Sequence, residues 1–574
     1  MFAGYMSGLV RNHPKLEPGS RLMATLQPER LFDVTLTSKT LWNHNLLQGV
    51  VIIFLLILLM WLQLVMSSKT KALKLPPGPR PWPILGNIPH LMGYLRPHRR
   101  LMELSKKYGP IMFLRLGSVP TVVTNSPEIV REILKHQDHI FCSRPSSAAR
   151  DIMAYGGAGF ALSDYGPHWR YLRRVCIREL LSPSRIQRYE KDRHNEAQLL
   201  VAQVLDASKK AQEVNLTDLL TTFTMNVATM MILSKKYFGP LALDGEQAEA
   251  FKECLHEGLK LFGVFNIGDY VPLLKPFDLQ GYEHAMKQVK LKEKRVLNLI
   301  MREHYESKAR LRRKGSCSGA AAADDIESAH DFVDVLMALP GEDGAPRLSD
   351  DTMEALILEL LSAATDTTAV VMEWTLAELV RNPQMQSRVQ EEIRTACDVG
   401  SGIECLVQES HLNELQYLKA VLKESTRLHP GGSFPIPHMS MEATKVAGYD
   451  IPKNTTVLIN LMDLGRNPSS FDNPEEFDPD RWLREGNVEL RDADMRFIPF
   501  SGGRRMCPGA SVAQCTVMLV LARLLQAFDW GLPQGKEDVD LNEAFGLTFG
   551  LLNPLKAVPT CRLPPEFYTS EFQI

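Results

Sequence analysis

At 574 residues, with a formal net charge of −2 and a pI near 6.7, the chain lacks the basic excess that nucleic-acid binding as a main activity requires. Hydrophobic residues make up 45% and charged residues 23%, a globular balance and not that of a disordered chain. Nine cysteines (142, 176, 254, 317, 397, 405, 507, 515, 561) are scattered singly, with no C-x-x-C pair and no zinc spacing, which points to free thiols in a reducing compartment.

Residues 1–45 show no apolar period and read as an N-terminal tail, either disordered or carrying a targeting role. Leu46 to Met66 carries no charge and, as a helix, would reach about 30 Å, enough to cross a bilayer core. Trp42 and Trp61 lie towards its ends and no small-residue cleavage site follows, so it reads as a retained transmembrane anchor. A buried core helix is the weaker alternative, because nothing nearby would cover all its faces. Lys69, Lys71, Lys74 and Arg80 follow the span, whereas Arg30 and Lys39 before it are offset by Glu29 and Asp33, so the C-terminal body falls on the cytoplasmic side. Residues 67–83 form a basic, proline-rich hinge in which each proline fixes φ and forbids helix. The body, residues 84–574, shows no internal repeat.

Within the body, Trp169 and Arg173 stand four apart, on one helical face. Arg310 to Lys314, followed by Gly315 to Ala323, reads as a solvated, flexible surface loop. Ser349 is a good N-cap, Asp350 and Asp351 fall in a first turn, and Met353, Leu356, Ile357, Leu360 and Leu361 recur at helical spacing until Asn382-Pro383. Midway along these roughly thirty residues, Ala363-Ala364-Thr365-Asp366-Thr367-Thr368 places four polar groups where an apolar core would be expected. That is expensive unless they have partners or a task; threonine hydroxyls bonding back to the helix's own carbonyls are the structural alternative. Leu415, Leu418 and Leu422 mark another helix, closed by His429-Pro430 and carrying Glu424 and Arg427, alone an ordinary ion pair. Last comes Phe500-Ser501-Gly502-Gly503-Arg504-Arg505-Met506-Cys507-Pro508-Gly509, a cysteine in a glycine-rich loop before an apolar helix beginning near Gly509. Backbone N–H groups and the helix terminus could stabilise a thiolate there, as a haem ligand requires; a buried structural thiol is the plain alternative for a lone cysteine.

Phe500, Gly503, Arg505, Cys507 and Gly509 match F-x-x-G-x-R-x-C-x-G, and the chain resembles the cytochrome P-450 haem-thiolate family. The resemblance implies a mainly α fold with small β-sheets, following the N-terminal anchor. It implies haem b (iron protoporphyrin IX) with Cys507 as its axial metal ligand, O2 as co-substrate and an NADPH-cytochrome reductase as electron donor. An axial thiolate pushes electron density onto the iron and favours O–O cleavage. Residues 363–368 resemble the family's A/G-G-x-D/E-T-T/S motif, so Thr367 would hydrogen-bond the activated oxygen and Asp366 would feed protons through water. Ala364 departs from the usual glycine and could narrow the oxygen groove. Phe477 to Trp482 resembles the P-x-R-W/F element, so Glu424, Arg427 and Arg481 would form a buried network. Trp169 and Arg173 match W-x-x-x-R and, with His438 and Arg505, would hold the haem propionates; Arg170, Arg174 and Arg178 could face an acidic reductase domain.

By these motifs the substrate walls come from 146–160, 357–363, 432–437 and 547–551, mostly small or apolar, which suits a hydrophobic small molecule. Phe332 to Leu336, Leu339-Pro340-Gly341 and the 363–368 and 429–438 segments resemble the plant A-type group, most of all the in-chain fatty-acid hydroxylases of pollen and spore wall formation. The expectation is a single-pass protein of the endoplasmic reticulum membrane, catalytic body in the cytoplasm, hydroxylating a medium-chain fatty acid. A phenylpropanoid or flavonoid is the second substrate class. A haem-thiolate isomerase or dehydratase, against which Asp366 and Thr367 argue, and a non-catalytic haem sensor are the rival functions.

Overall fold

The computed structural model describes residues 73–568, except 93–95, 239–244, 314–330, 342–346, 398–404, 492–493 and 545, together with Gly49, Val50 and Phe54, which are helical. The expected tail and most of the expected span and hinge lie outside the described residues. The described end of the hinge is extended, and its Pro77 carbonyl accepts from Phe113 N at 2.9 Å, the prolines leaving no alternative hydrogen-bonded structure.

The helices that matter for the site are α1 (Pro97–Tyr108), α2 (Pro167–Glu179), α3 (Glu190–Lys209), α4 (Leu216–Leu233), α5 (Gly245–Phe262), α6 (Tyr282–Arg313), α7 (Asp350–Arg381), α8 (Pro383–Ala396), α9 (Gln416–Leu428) and α10 (Ala510–Ala527). The expected flexible loop at 310–323 begins later than its composition suggests, because α6 carries Arg310 to Arg313 as a regular helix; 314–330 lie outside the described residues.

The long expected helix is α7, 32 residues from the Ser349 cap, whose side chain accepts from Thr352 N at 3.2 Å, to Arg381. Pro383 then opens α8. α7 packs on α4, α9 and α10, and Leu356, Ile357, Leu361, Met372, Leu376 and Leu379 are fully buried. Each such side chain contributes roughly 2 kcal/mol of burial. Three described helices, α4, α7 and α10, are long and apolar enough to cross a membrane, yet each is mostly buried within the body. An all-round apolar helix in a large core needs no bilayer.

The strands are β1 (Ile111–Leu116), β2 (Val119–Thr124), β3 (Val214–Asn215), β4 (His438–Met439), β5 (Thr444–Val446), β6 (Tyr449–Ile451), β7 (Thr456–Ile459), β8 (Phe528–Gly531) and β9 (Lys556–Cys561). They form small sheets of order β1-β2-β7-β4, β3-β9-β8 and β5-β6. The first sheet fixes one site residue: β4 pairs antiparallel with β7, His438 opposite Val457.

Candidate active site

Behind Cys507 the loop is shaped by its glycines. Gly503 has φ +64°, and a Cβ there would lie 2.3 Å from the Leu134 carbonyl oxygen, so no other residue fits. Cys507 N–H donates to Phe500 O at 2.9 Å, closing the loop before α10 begins. Burial pushes the Cys507 thiol up, while the Gly509 N–H and the Arg173 guanidinium pull it down. A metal cation replacing the thiol proton would tip this balance to the thiolate.

A buried frame supports that loop. Glu424 takes two hydrogen bonds from Arg427, at 2.9 and 2.7 Å, one from Arg481 at 2.9 Å, one from Trp482 Nε1 at 2.9 Å and one from Asp478 N at 3.0 Å. Arg427 spends its other N–H groups on the carbonyls of Gly465, Pro474 and Glu476. Every member is buried, so the three-residue network expected from the motifs is present and saturated.

Around the loop sit the four expected propionate ligands. Arg173 donates to Met506 O at 2.8 Å, and its guanidinium lies 5.4 Å from the Trp169 ring centre. The Arg505 guanidinium lies 4.7 Å from the centre of the same indole and donates to the carbonyls of Cys142, Phe160 and Ser163, at 2.7, 3.0 and 2.6 Å. His438 Nδ1 donates to Phe141 O at 2.8 Å; burial, with Arg144 and Arg505 nearby, pushes its pKa down to about 3. Among the described residues nothing pairs with Trp169 Nε1 or His438 Nε2, two deeply buried polar atoms. Such orphans are costly; an acceptor such as a propionate would satisfy the Trp169 N–H, whereas His438 Nε2, with the ring proton on Nδ1, carries a lone pair and would donate to a propionate only after taking up a second proton.

Two residues were missed in the sequence. Arg144, buried, donates to Ala161 O, Ile436 O and Pro437 O, clamping the strand that carries His438. Glu359 on α7 accepts from Phe160 N and Ala161 N at 2.9 and 3.1 Å, and burial lifts its pKa to about 7. An arginine just before Pro145 within an apolar stretch, and a carboxylate inside the apolar stripe of α7, were the available signals.

Elsewhere, α7 runs regularly through 363–368. Thr365 is buried and its hydroxyl donates to Leu361 O at 2.8 Å, a purely structural back-bond. Thr367 also back-bonds, to Ala363 O at 2.6 Å, but it is exposed, as are Ala363 and Ala364, in the middle of an otherwise buried helix. The hydroxyl oxygen therefore keeps acceptor lone pairs on an open face. Burial lifts Asp366 to about 6, and only Lys260 on α5 is near enough to oppose the shift.

The expected substrate walls meet α7. A Cβ on Gly431 would touch Val371 and lie 3.9 Å from Thr367 O; one on Gly432 would lie 3.0 Å from Leu547 O. Phe549 N donates to Gly431 O at 3.1 Å and Trp374 Nε1 to Phe549 O at 2.6 Å. Glu359 ties in the 160–161 segment. Thus 160–161 and 547–551 touch α7 at Glu359 and Trp374, on either side of its exposed small residues, and Gly431 approaches Thr367 O.

A half-buried thiol in a glycine-shaped loop, a buried indole donor lacking a partner, and exposed small residues on a long core helix are what the class of haem-thiolate proteins presents, and these residues fit haem b. The chain matches the cytochrome P450 family over residues 76–557 and belongs to that family. It is 40% identical over 90% of its length to cytochrome P450 703A2 of Arabidopsis thaliana, covering 98% of that protein. It is 36% identical over 88% of its length to flavonoid 3',5'-hydroxylase CYP75B138 of Crocosmia x crocosmiiflora, covering 95% of that protein. Among solved structures, a zebra fish cytochrome P450 with abiraterone superposes with a TM-score of 0.64 at 25% identity, over 81% of this chain and all of that one. The protein is accordingly a cytochrome P450 monooxygenase whose cofactor is haem b, with a cysteine thiolate as axial ligand.

Proposed function

We propose that the protein is a reductase-dependent hydroxylase of the endoplasmic reticulum membrane, anchored by residues 46–66 with its body in the cytoplasm, acting in-chain on a medium-chain fatty acid. The observation that supports the substrate class is the run of exposed small residues on α7, flanked where Phe160 meets Glu359 and Phe549 meets Trp374. A small, apolar surface of this kind recognises an alkyl chain by area and shape. The likeness to in-chain fatty-acid hydroxylases in 332–341, 363–368 and 429–438 narrows the class further.

Haem b, when bound, supplies O2 activation and electron storage. Trp169 Nε1, Arg173 and Arg505 would hold the propionates, with His438 beside them, and Cys507 would supply the thiolate sulfur. Thr367 holds a hydrogen bond at the open face. Asp366, lifted to about 6, carries a proton close to neutral pH and passes it through water towards Thr367. This proton supply distinguishes the reading from an isomerase or a sensor, neither of which consumes protons with external electrons.

A flavonoid is the second substrate reading, favoured by the flavonoid hydroxylases among the relatives. Titrating the ferric protein with lauric acid and with naringenin, followed by product analysis with NADPH and reductase, separates the two. The fatty-acid reading expects a saturable haem spectral change and hydroxylated laurate; a response to naringenin alone would overturn it.

A further inference from the structure

We propose that Cys397, Cys405 and His411 form a site for one zinc-class divalent cation, separate from the haem. Their ligand atoms all lie within 4.8 Å of one another, and Cys397 Sγ is 3.9 Å from His411 Nδ1. Tetrahedral zinc, with bonds of about 2.3 Å to sulfur and 2.0–2.1 Å to nitrogen, needs sulfur–sulfur and sulfur–nitrogen separations of about 3.8 and 3.6 Å. The side chains stand within a few tenths of an ångström to one ångström of that arrangement. The spacing, C-x7-C-x5-H, matches no short zinc motif, so only the fold brings the three together.

The donors are in suitable form. His411 Nδ1 accepts from Gln408 N at 3.2 Å, which assigns the proton to Nε2 and leaves the Nδ1 lone pair engaged by that backbone N–H. A cation must displace that long hydrogen bond. The Cys405 thiol donates to Cys397 O at 3.5 Å. The buried Arg523 guanidinium lies within electrostatic reach of both sulfurs. On binding, two S–H bonds give their protons to water, two zinc–sulfur bonds form, and water completes the fourth position. A disulfide would need the sulfurs about 2.05 Å apart and an oxidant. The other such cluster, His304 with Asp331 and Asp334, is already consumed: His304 bonds Ile300 O and Asp331, and Asp331 caps a helix through Asp334 N.

The site joins the end of α8 to the 409–413 turn on α10. Gln526 Nε2 donates to Cys405 O at 2.7 Å, Val407 N donates to Gln526 Oε1, and Glu409 takes two of the three hydrogen bonds of Arg193 on α3. Gln526 is sixteen residues along α10 from Ala510, about 24 Å of helix. A cation there would therefore brace the scaffold without touching the haem.

The test uses untagged, full-length holoenzyme, kept reduced by a phosphine, loaded with zinc and dialysed. Metal is counted per haem, and affinity is read by competition with a fluorescent chelator. One zinc per haem is expected, with affinity falling about tenfold or more in Cys405→Ser, a half-buried position that tolerates hydroxyl. Cys561→Ser, at an exposed thiol outside the cluster, should bind like wild type. Cys397→Ser gives a second deletion, and both haem spectra serve as the folding check. Wild-type uptake by Cys405→Ser, zinc that follows Cys561, a dissociation constant weaker than about 100 µM, or a Cys397–Cys405 disulfide in the isolated protein would each overturn the proposal.

Discussion

The Glu424 network and the stretch of α7 around Thr367 treat polar groups in opposite ways. In the first, Glu424, Arg427, Arg481 and Trp482 are buried and saturated, every strong donor and acceptor having a partner within 3.0 Å or a backbone carbonyl. In the second, α7 exposes Ala363, Ala364 and Thr367 inside a core helix and keeps Asp366 where burial raises its pKa. The first region is built to stay in one arrangement. The second leaves acceptor capacity and a movable proton, which is stability given up for chemistry.

The largest expected effect breaks the saturated side. Glu424→Ala strands two buried guanidinium groups and should cost about 3–5 kcal/mol, seen as loss of haem-loaded protein and a lower melting temperature. A variant that keeps full haem content would show that the frame is dispensable. Thr367→Ala, on the open side, should lower product formation roughly 10²-fold while the substrate-induced spectral change survives. Equal losses in binding and turnover would instead place Thr367 in substrate recognition.

A smaller effect concerns acid stability at the rim. Against the upward push of burial, hydrogen bonds from His98 and Arg99 hold Glu543 down to about 2. Its contribution is present above the ordinary carboxylate range and is lost as pH falls from about 4.5 to about 2. The nominal gain of about 3 kcal/mol reduces to about 1–2, because Arg99 is half-exposed and screened. Glu543→Gln should flatten this slope in denaturation measured across that window. The smallest effect is Ala364→Gly, costing about 1 kcal/mol of helix stability while widening the groove. A change in coupling of NADPH use to product, at a melting shift of only a few degrees, would be its signature.

What was legible in the sequence follows from where the physics is local. The bounds of α7 could be read because Ser349 caps and Asn382-Pro383 stops are written within a few residues. The Glu424 network could be read because two short motifs carry it. Arg144, Glu359 and the Cys397–Cys405–His411 cluster could not, since each acquires its meaning from carbonyls, N–H groups or donors brought in by other segments. Thr367 shows the limit of either reading alone: its hydroxyl makes the structural back-bond and also stands on the open face.

The account depends most on the sulfur at position 507. Its direct test is the absorption spectrum of the reduced, carbon-monoxide-bound protein, compared between wild type and Cys507→Ser at matched haem content. A thiolate-type red-shifted Soret band in wild type, lost in the variant together with oxygenated product, is the predicted result. The same band and the same products from Cys507→Ser would contradict it.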